Sequence, residues 1–319
     1  MPYNTVRHFL WLILHDILIT IVKIHTLSKC KKMLLFTLLL IGFNLHAQDT
    51  LQPIIDTTST ATIVSDTVKT SVWKNLKYDG LNMLGGVLHA YSQPARWKKK
   101  DFMILGGVAV GTTILIMTDE ETSPYFINQG KGAPQLIKDA GWYFGSPQNN
   151  YGITGGIYVF GLLTNNEKVR KTGVLLISSA SAAGIIQTFS KNITGRARPL
   201  QGEGPTSFKP FSKEGGYHSF PSGHTILTFT TAYAIGKQFK NPWARYGIYT
   251  LGMVSPLTRL WEGAHWASDV GLSLALSVAI VESIDNYLNK GKKYNIDAKN
   301  RITWNLQFSG KKIGIVGTF

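Results

Sequence analysis

Residues 219–236 read SFPSGHTILTFTTAYAIG. Pro221 and Ser222 form a helix start, and the run from Thr225 to Gly236 is an apolar helical pattern. Gly223 lets backbone approach an anion closely, and the free N–H groups of a helix N-terminus can hold a phosphate. His224 falls in that first turn. A lone histidine there is more often a cap than a catalyst, so the segment needs company before it means chemistry.

The helical pattern recurs along the chain. Phe102–Met117, Ile153–Leu163, Thr172–Phe189, Trp243–Leu257 and Val270–Val281 alternate with polar loops, and their Gly, Ala, Ser and Thr content suits close helix–helix packing. The fold class predicted is all-α, a helical bundle of about six core helices over 73–290, with one site at the helix ends. Most of these segments fall short of the ~20 residues a spanning helix needs, which leaves open whether the bundle spans, dips into or touches a membrane. The loop 200–220, rich in Gly, Pro, Ser and Lys, is a candidate lid. In the tail, Ile302, Trp304, Leu306 and Phe308 alternate with polar residues. A turn at 309–312 follows, and Ile313, Ile315, Gly317 and Phe319 continue the alternation, predicting a short C-terminal β-hairpin within 291–319. A barrel needs at least about eight strands, and no others are visible.

The first residues read differently. Met33–Phe43 (MLLFTLLLIGF) is preceded by Lys29, Lys31 and Lys32 and followed by Leu45-His46-Ala47, the pattern of a secretory signal cut after Ala47. Residues 1–47 are therefore expected to be a targeting segment, with Met33 favoured as the translation start over an upstream apolar run, Phe9–Ile24, that carries His15, Asp16 and Lys23. Residues 48–72, rich in Thr, Ser and Asp, read as a flexible leader. The expected location is the cell envelope, on the periplasmic face. The single cysteine, Cys30, precludes an intramolecular disulfide, and Lys29 before it argues against a lipoprotein cysteine.

The chain of 319 residues is 44% hydrophobic and 16% charged, with a net charge of +15. Scattered basic residues and an export signal argue against nucleic acid as partner. An anionic membrane surface or a phosphorylated substrate fits better. The run Arg96-Trp97-Lys98-Lys99-Lys100 suits a membrane surface or a solvated helix end.

Two more segments collect groups suited to phosphate. Lys191-Asn-Ile-Thr-Gly-Arg-Ala-Arg198-Pro199 closes an apolar helix and offers Lys191, Arg196 and Arg198 as cationic donors. Thr258-Arg259-Leu-Trp-Glu-Gly-Ala-His265-Trp-Ala-Ser-Asp269 sets His265 and Asp269 four apart, on one face if the stretch is helical. A carboxylate accepting the Nδ1–H would fix the tautomer and leave Nε2 as nucleophile. Of eight histidines, His8, His15, His25 and His46 fall in the targeting segment, and His224 and His265 each sit beside phosphate-binding groups. His218 and Glu262 flank them; Trp261 and Trp266 are read as core before they are read as a lipid groove. Between 190 and 270 the only acidic residues are Glu203, Glu214, Glu262 and Asp269, a poor set for a two-metal phosphatase. No Gly-x4-Gly-Lys-Ser/Thr loop for a nucleoside triphosphate is present.

Together the three segments resemble the three motifs of the type 2 phosphatidic acid phosphatase superfamily, which includes lipid phosphate phosphatases, bacterial acid phosphatases and vanadium haloperoxidases. Lys-x6-Arg-Pro matches Lys191, Arg198 and Pro199; Pro-Ser-Gly-His matches Pro221 to His224; Ser-Arg-x5-His-x3-Asp matches Arg259, His265 and Asp269, with Thr258 in place of serine. The resemblance covers roughly 102–286. It implies a phosphomonoesterase without metal or other cofactor. Lys191, Arg198 and Arg259 would clamp the phosphoryl oxygens with Ser222 and the Gly223 N–H. His265, oriented by Asp269, would attack phosphorus, and His224 would protonate the leaving oxygen and then activate water. The implied substrate is a lipid phosphate such as phosphatidate, an isoprenyl pyrophosphate or lipid A phosphate. The alternatives are a soluble periplasmic acid phosphatase on small phosphate esters and, behind it, a vanadium-dependent haloperoxidase.

Overall fold

The computed structural model describes residues 72–294 and two strands beyond them. The expected targeting segment and leader, up to residue 71, lie outside the described residues. The described helices are α1 (Val72–Tyr91), α2 (Lys99–Lys131), α3 (Gln135–Gly145), α4 (Pro147–Leu163), α5 (Glu167–Thr194), α6 (Gly223–Gly236), α7 (Pro242–Gly252), α8 (Val254–Trp261) and α9 (Ala267–Asn289). The chain is thus mostly helical, as its patterning predicts. Two strands, Thr303–Ser309 and Lys312–Thr318, pair antiparallel with Thr303 opposite Thr318.

The core is built on α5, α6 and α9, which pack on one another, with α4 and α1 against α5 and α8 against α3. Helix α6 is buried over nearly its whole length, from Gly223 to Gly236. Its neighbour α5 carries Ser178, Ser179, Ala180, Ala182 and Ala183, all buried, in the part of the helix that the core surrounds. Small side chains let the helix axes approach and spread dispersion contact along the seam. Asn166 opens α5 by accepting the Val169 N–H at 3.0 Å. At the other end Gly195 takes the left-handed conformation (φ 54°), its N–H bonding back to the Lys191 carbonyl at 2.9 Å.

Several expectations need correcting. Among the described residues three helices, α2, α5 and α9, are long and apolar enough to cross a membrane, because each extends past the apolar segment into polar flanks: α2 runs from Lys99 to Lys131, well beyond Phe102–Met117. Trp243–Leu257 is two helices, with Met253 between them. Pro256 has no N–H to give the Gly252 carbonyl, so the ladder breaks there. Helix α3 lies where no apolar segment is visible in the sequence. Along α2 only Asp119 and Gly130 are buried, while Phe102, Met103, Val110, Ile114 and Met117 are exposed. An exposed apolar face of this length suits hydrocarbon better than water.

Candidate active site

The end of α5 brings in the first motif. Lys191 stands in its last turn; the turn at Gly195 then redirects the chain, sending Arg196 into the core and Arg198 toward the site. The loop that follows is stitched to this strand-like stretch. The Ala197 N–H donates to the Ser207 carbonyl (3.0 Å), Lys209 N–H to Gly195 (2.7 Å), Arg198 N–H to Gly216 (2.9 Å) and Ser219 N–H to Arg196 (3.1 Å). Read from sequence as a candidate lid, 200–220 is bound by main-chain hydrogen bonds on both of its arms. His218 belongs to this fabric, its Nε2 lying 2.8 Å from the Ser212 carbonyl.

The second motif starts α6, with Ser222 as N-cap, Gly223 at the first helical position and His224 next. The Ser222 oxygen accepts from the Thr225 hydroxyl at 2.9 Å. Helix α3 presses on this turn from outside: a Cβ built on Gly145 would lie 2.8 Å from Cβ of His224, so only glycine permits the approach. Trp142 of α3 has its ring centroid 6.5 Å from that of His224.

The third motif straddles α8 and α9. Arg259 lies near the end of α8 and pairs with Glu262 at 2.8 Å. His265 is not on a helix with Asp269, as their spacing suggested. It sits in the turn before α9, whose N-cap is Trp266, and Asp269 is the third helical residue, accepting the Trp266 N–H at 2.8 Å. The two still meet, because the turn folds His265 back over the helix start. The group at hydrogen-bond distance from His265 Nδ1 is the Ser219 carbonyl, at 2.7 Å, whereas Asp269 Oδ2 is 3.6 Å away. A ring N–H facing a carbonyl must donate, so Nε2 carries the free lone pair. Ser219 also donates its hydroxyl to Asp269 Oδ2 at 2.5 Å, so one residue holds both members of the pair. The sequence reading missed it.

Arg196 is not a phosphate donor. It is fully buried, with Nη1 2.5 Å from Asp269 Oδ1 and 2.7 Å from the Ser268 hydroxyl, Nη2 2.9 Å from Asp119 Oδ2, and Nε donating to the Pro205 carbonyl at 2.8 Å. Asp119, on α2, was also missed. Its one visible signal is a carboxylate just beyond an apolar run. Trp266 is core, donating its ring N–H to the Ala197 carbonyl at 2.7 Å; Trp261 is partly buried against Gln129.

The electrostatics follow from burial. His265 is pulled down to about 4, first by burial and then by the cations Lys191 and Arg198, with Asp269 opposing. His224 is pulled down to about 3 by burial, then by Arg259, His265, Lys191 and Arg198. Burial also lowers Arg198 and Arg259 from the ordinary guanidinium value, though arginine remains charged. Among the described residues, Nε of Arg198, Nε of Arg259 and Nε2 of His224 are buried and meet no hydrogen-bond partner. Buried donors without partners are costly, and an oxyanion with several acceptor oxygens would satisfy them. No three His, Cys, Asp or Glu side chains among the described residues gather as metal ligands would.

Lys191, Arg198 and Arg259 thus act electrostatically on the two histidines at the ends of the core helices, among buried nitrogens that lack partners. Residues 172–289 match the family model of the PAP2 superfamily. Over 107 residues the chain is 35% identical to a lipid A 1-phosphatase of Rhizobium etli and to one of Rhizobium johnstonii, covering 32% of this chain and 44% and 42% of those proteins. A third, from Porphyromonas gingivalis, is 31% identical over 67 residues, or 20% of this chain and 15% of that protein. The chain thus spans less than half the length of the curated relatives it matches. No solved structure matches it.

Proposed function

We propose that the chain is a membrane-embedded lipid phosphate phosphatase working through a phosphohistidine on His265, with a lipid A phosphate as the leading substrate. Phosphatidate and isoprenyl pyrophosphates are the alternative lipid phosphates. The observation that carries the mechanism is the pairing of a free Nε2 on His265, whose Nδ1 is held by Ser219, with partnerless buried donors on Arg198, Arg259 and His224. The names of the relatives support the substrate class, and the exposed apolar face of α2 supports the membrane.

In this reading Lys191, Arg198 and Arg259 grip the phosphoryl oxygens with Ser222 and the Gly223 N–H, and the charge that develops in the transition state falls among them. Nε2 of His265 attacks phosphorus in line as the ester P–O bond breaks, and His224 gives its proton to the departing oxygen. Water then attacks phosphorus, the N–P bond breaks, His224 takes the water proton, and inorganic phosphate leaves. Asp269 steadies the positive charge on the phosphorylated ring. Burial holds His224 neutral first, and the cations that add to it are those a phosphate dianion neutralises. Binding therefore raises the His224 pKa and lets it take up the proton it later donates.

The test is phosphate release by the purified chain in detergent with EDTA present, from lipid A, phosphatidate and a small soluble ester. Release from lipid, lost in His265→Ala, is expected. Release from the soluble ester alone would move the reading to an acid phosphatase, and wild-type rates in His265→Ala would remove the phosphohistidine.

A further inference from the structure

Asp119 lies on α2, outside the stretch matched by the superfamily, yet it is joined to the site through Arg196 and Ser268. Its two oxygens accept the Ser268 N–H (3.0 Å), the Ser268 hydroxyl (2.5 Å) and Nη2 of Arg196 (2.9 Å), and Nη1 of the same guanidinium is 2.5 Å from Asp269. All three charged side chains are fully buried. One cation thus lies between two carboxylates. With Arg196 and Asp269 alone, the guanidinium would cancel the charge that Asp269 holds 3.6 Å from His265. With Asp119 present the triad carries one net negative charge.

We propose that Asp119 is a positioning residue for the phosphoryl transfer: by taking up the charge of Arg196 it leaves the negative charge of Asp269 available to the imidazolium that forms on His265. This rests on the phosphohistidine reading above. Arg196, itself held by the Ser268 hydroxyl, also fixes the oxygen Oδ1 of Asp269, so that Oδ2 faces Ser219, the Trp266 N–H and the His265 ring. The charged and titratable groups around that ring are Lys191 from α5, Arg196 and Arg198 from the following turn, His224 from α6, Asp269 from α9 and, behind Arg196, Asp119 from α2; Arg259 from α8 acts on His224. Neutralising Asp119 adds an unbalanced positive charge to this set. It disfavours every cationic form of the two histidines and of the phosphorylated ring, while leaving the phosphate grip in place.

The experiment compares wild type, Asp119→Asn, Arg196→Gln and the double variant as full chains in detergent, reading kcat, KM and vanadate inhibition across pH. Expected for Asp119→Asn are KM and vanadate inhibition within about twofold of wild type, a kcat lower by at least about tenfold, and a bell-shaped pH profile moved to lower pH by about one unit. The double variant, with both charges gone, regains kcat over either single variant and returns the profile toward the wild-type position. A merely structural contact would give additive losses and an unmoved profile, and that result overturns the proposal, as would wild-type kinetics in Asp119→Asn. If Asp119→Asn does not fold, Arg196→Gln against the double variant makes the same comparison: recovery supports the proposal and no recovery overturns it. Absence of phosphate release from any ester by the wild type would overturn the phosphatase reading and this proposal with it. An active wild type with additive variants removes this proposal alone.

Discussion

At the residue scale the two histidines set the chemistry of the proposed mechanism and its pH limits. Both have native pKa values below the ordinary 6.5, at about 4 for His265 and about 3 for His224. The unfolded chain therefore binds more protons than the native one below pH 6.5. The stability these neutral rings contribute is complete above 6.5 and is lost as pH falls through 6.5 toward 4. The unfolding temperature of the unliganded protein should drop over that window, and a His265→Asn variant should drop less. A constant difference between the two across pH 4–7 would contradict the burial argument. Inorganic phosphate should reverse part of the loss and take up protons as it binds, measured as a buffer-dependent binding heat in calorimetry. Arg198 offers a cleaner probe of the grip. Its Nε is buried without a partner among the described residues, so Arg198→Lys, which keeps charge but not the fork, should lower kcat by about 10²–10³-fold. A drop under threefold would mean that charge alone suffices.

At the element scale, helix ends decide where the side chains go. Gly195 combines a left-handed φ of 54° with a close approach to the Lys209 carbonyl. Gly195→Ala should cost about 1–3 kcal/mol and lower activity as well, because the turn aims both Arg196 and Arg198; thermal melts and turnover on one preparation check this. Here the limits of the sequence become visible. The helix starting at Ser222 is legible because Pro, Ser and Gly punctuate a long apolar run, and Lys191, His224, Arg259 and His265 stand out by charge and spacing. Three elements are less legible. Helix α3 is held by tertiary contact of its glycines with Thr258, Ser255 and His224 rather than by an apolar stripe. The break at Met253 depends on one proline inside an otherwise continuous pattern. The Ser219 carbonyl is a main-chain group, and no side-chain motif announces where a main-chain oxygen will point.

At the scale of the whole molecule, the balance is between a wet site and an apolar exterior. Helices α2, α5 and α9 are long and apolar enough to cross a bilayer, and α2 turns its apolar face outward. Salt and carbonate washing should therefore leave the protein in the membrane fraction, and detergent should be required to release it. Recovery of active protein in the salt wash would contradict the embedded reading. The far ends of the core helices carry their own ion pairs, Arg170 with Asp79 at 2.7 Å, buried, and Lys237 with Asp285 at 3.0 Å, partly buried. Charge thus sits at both ends of the bundle, and the middle of α5 is uncharged.

The reach of Arg196 to Asp119 has a consequence for inheritance and for engineering. On the proposal made for Asp119, the stretch matched by the superfamily, 172–289, is smaller than the unit that makes the chemistry work. A designer who transplanted the recognisable piece onto a new scaffold would carry both histidines and every phosphate-gripping cation across. The counter-charge would stay behind on a helix that shares none of the signature. Such a chimera should hold phosphate and turn it over poorly, and a single acid restored at the right height on a neighbouring helix should be worth more to it than any change inside the graft.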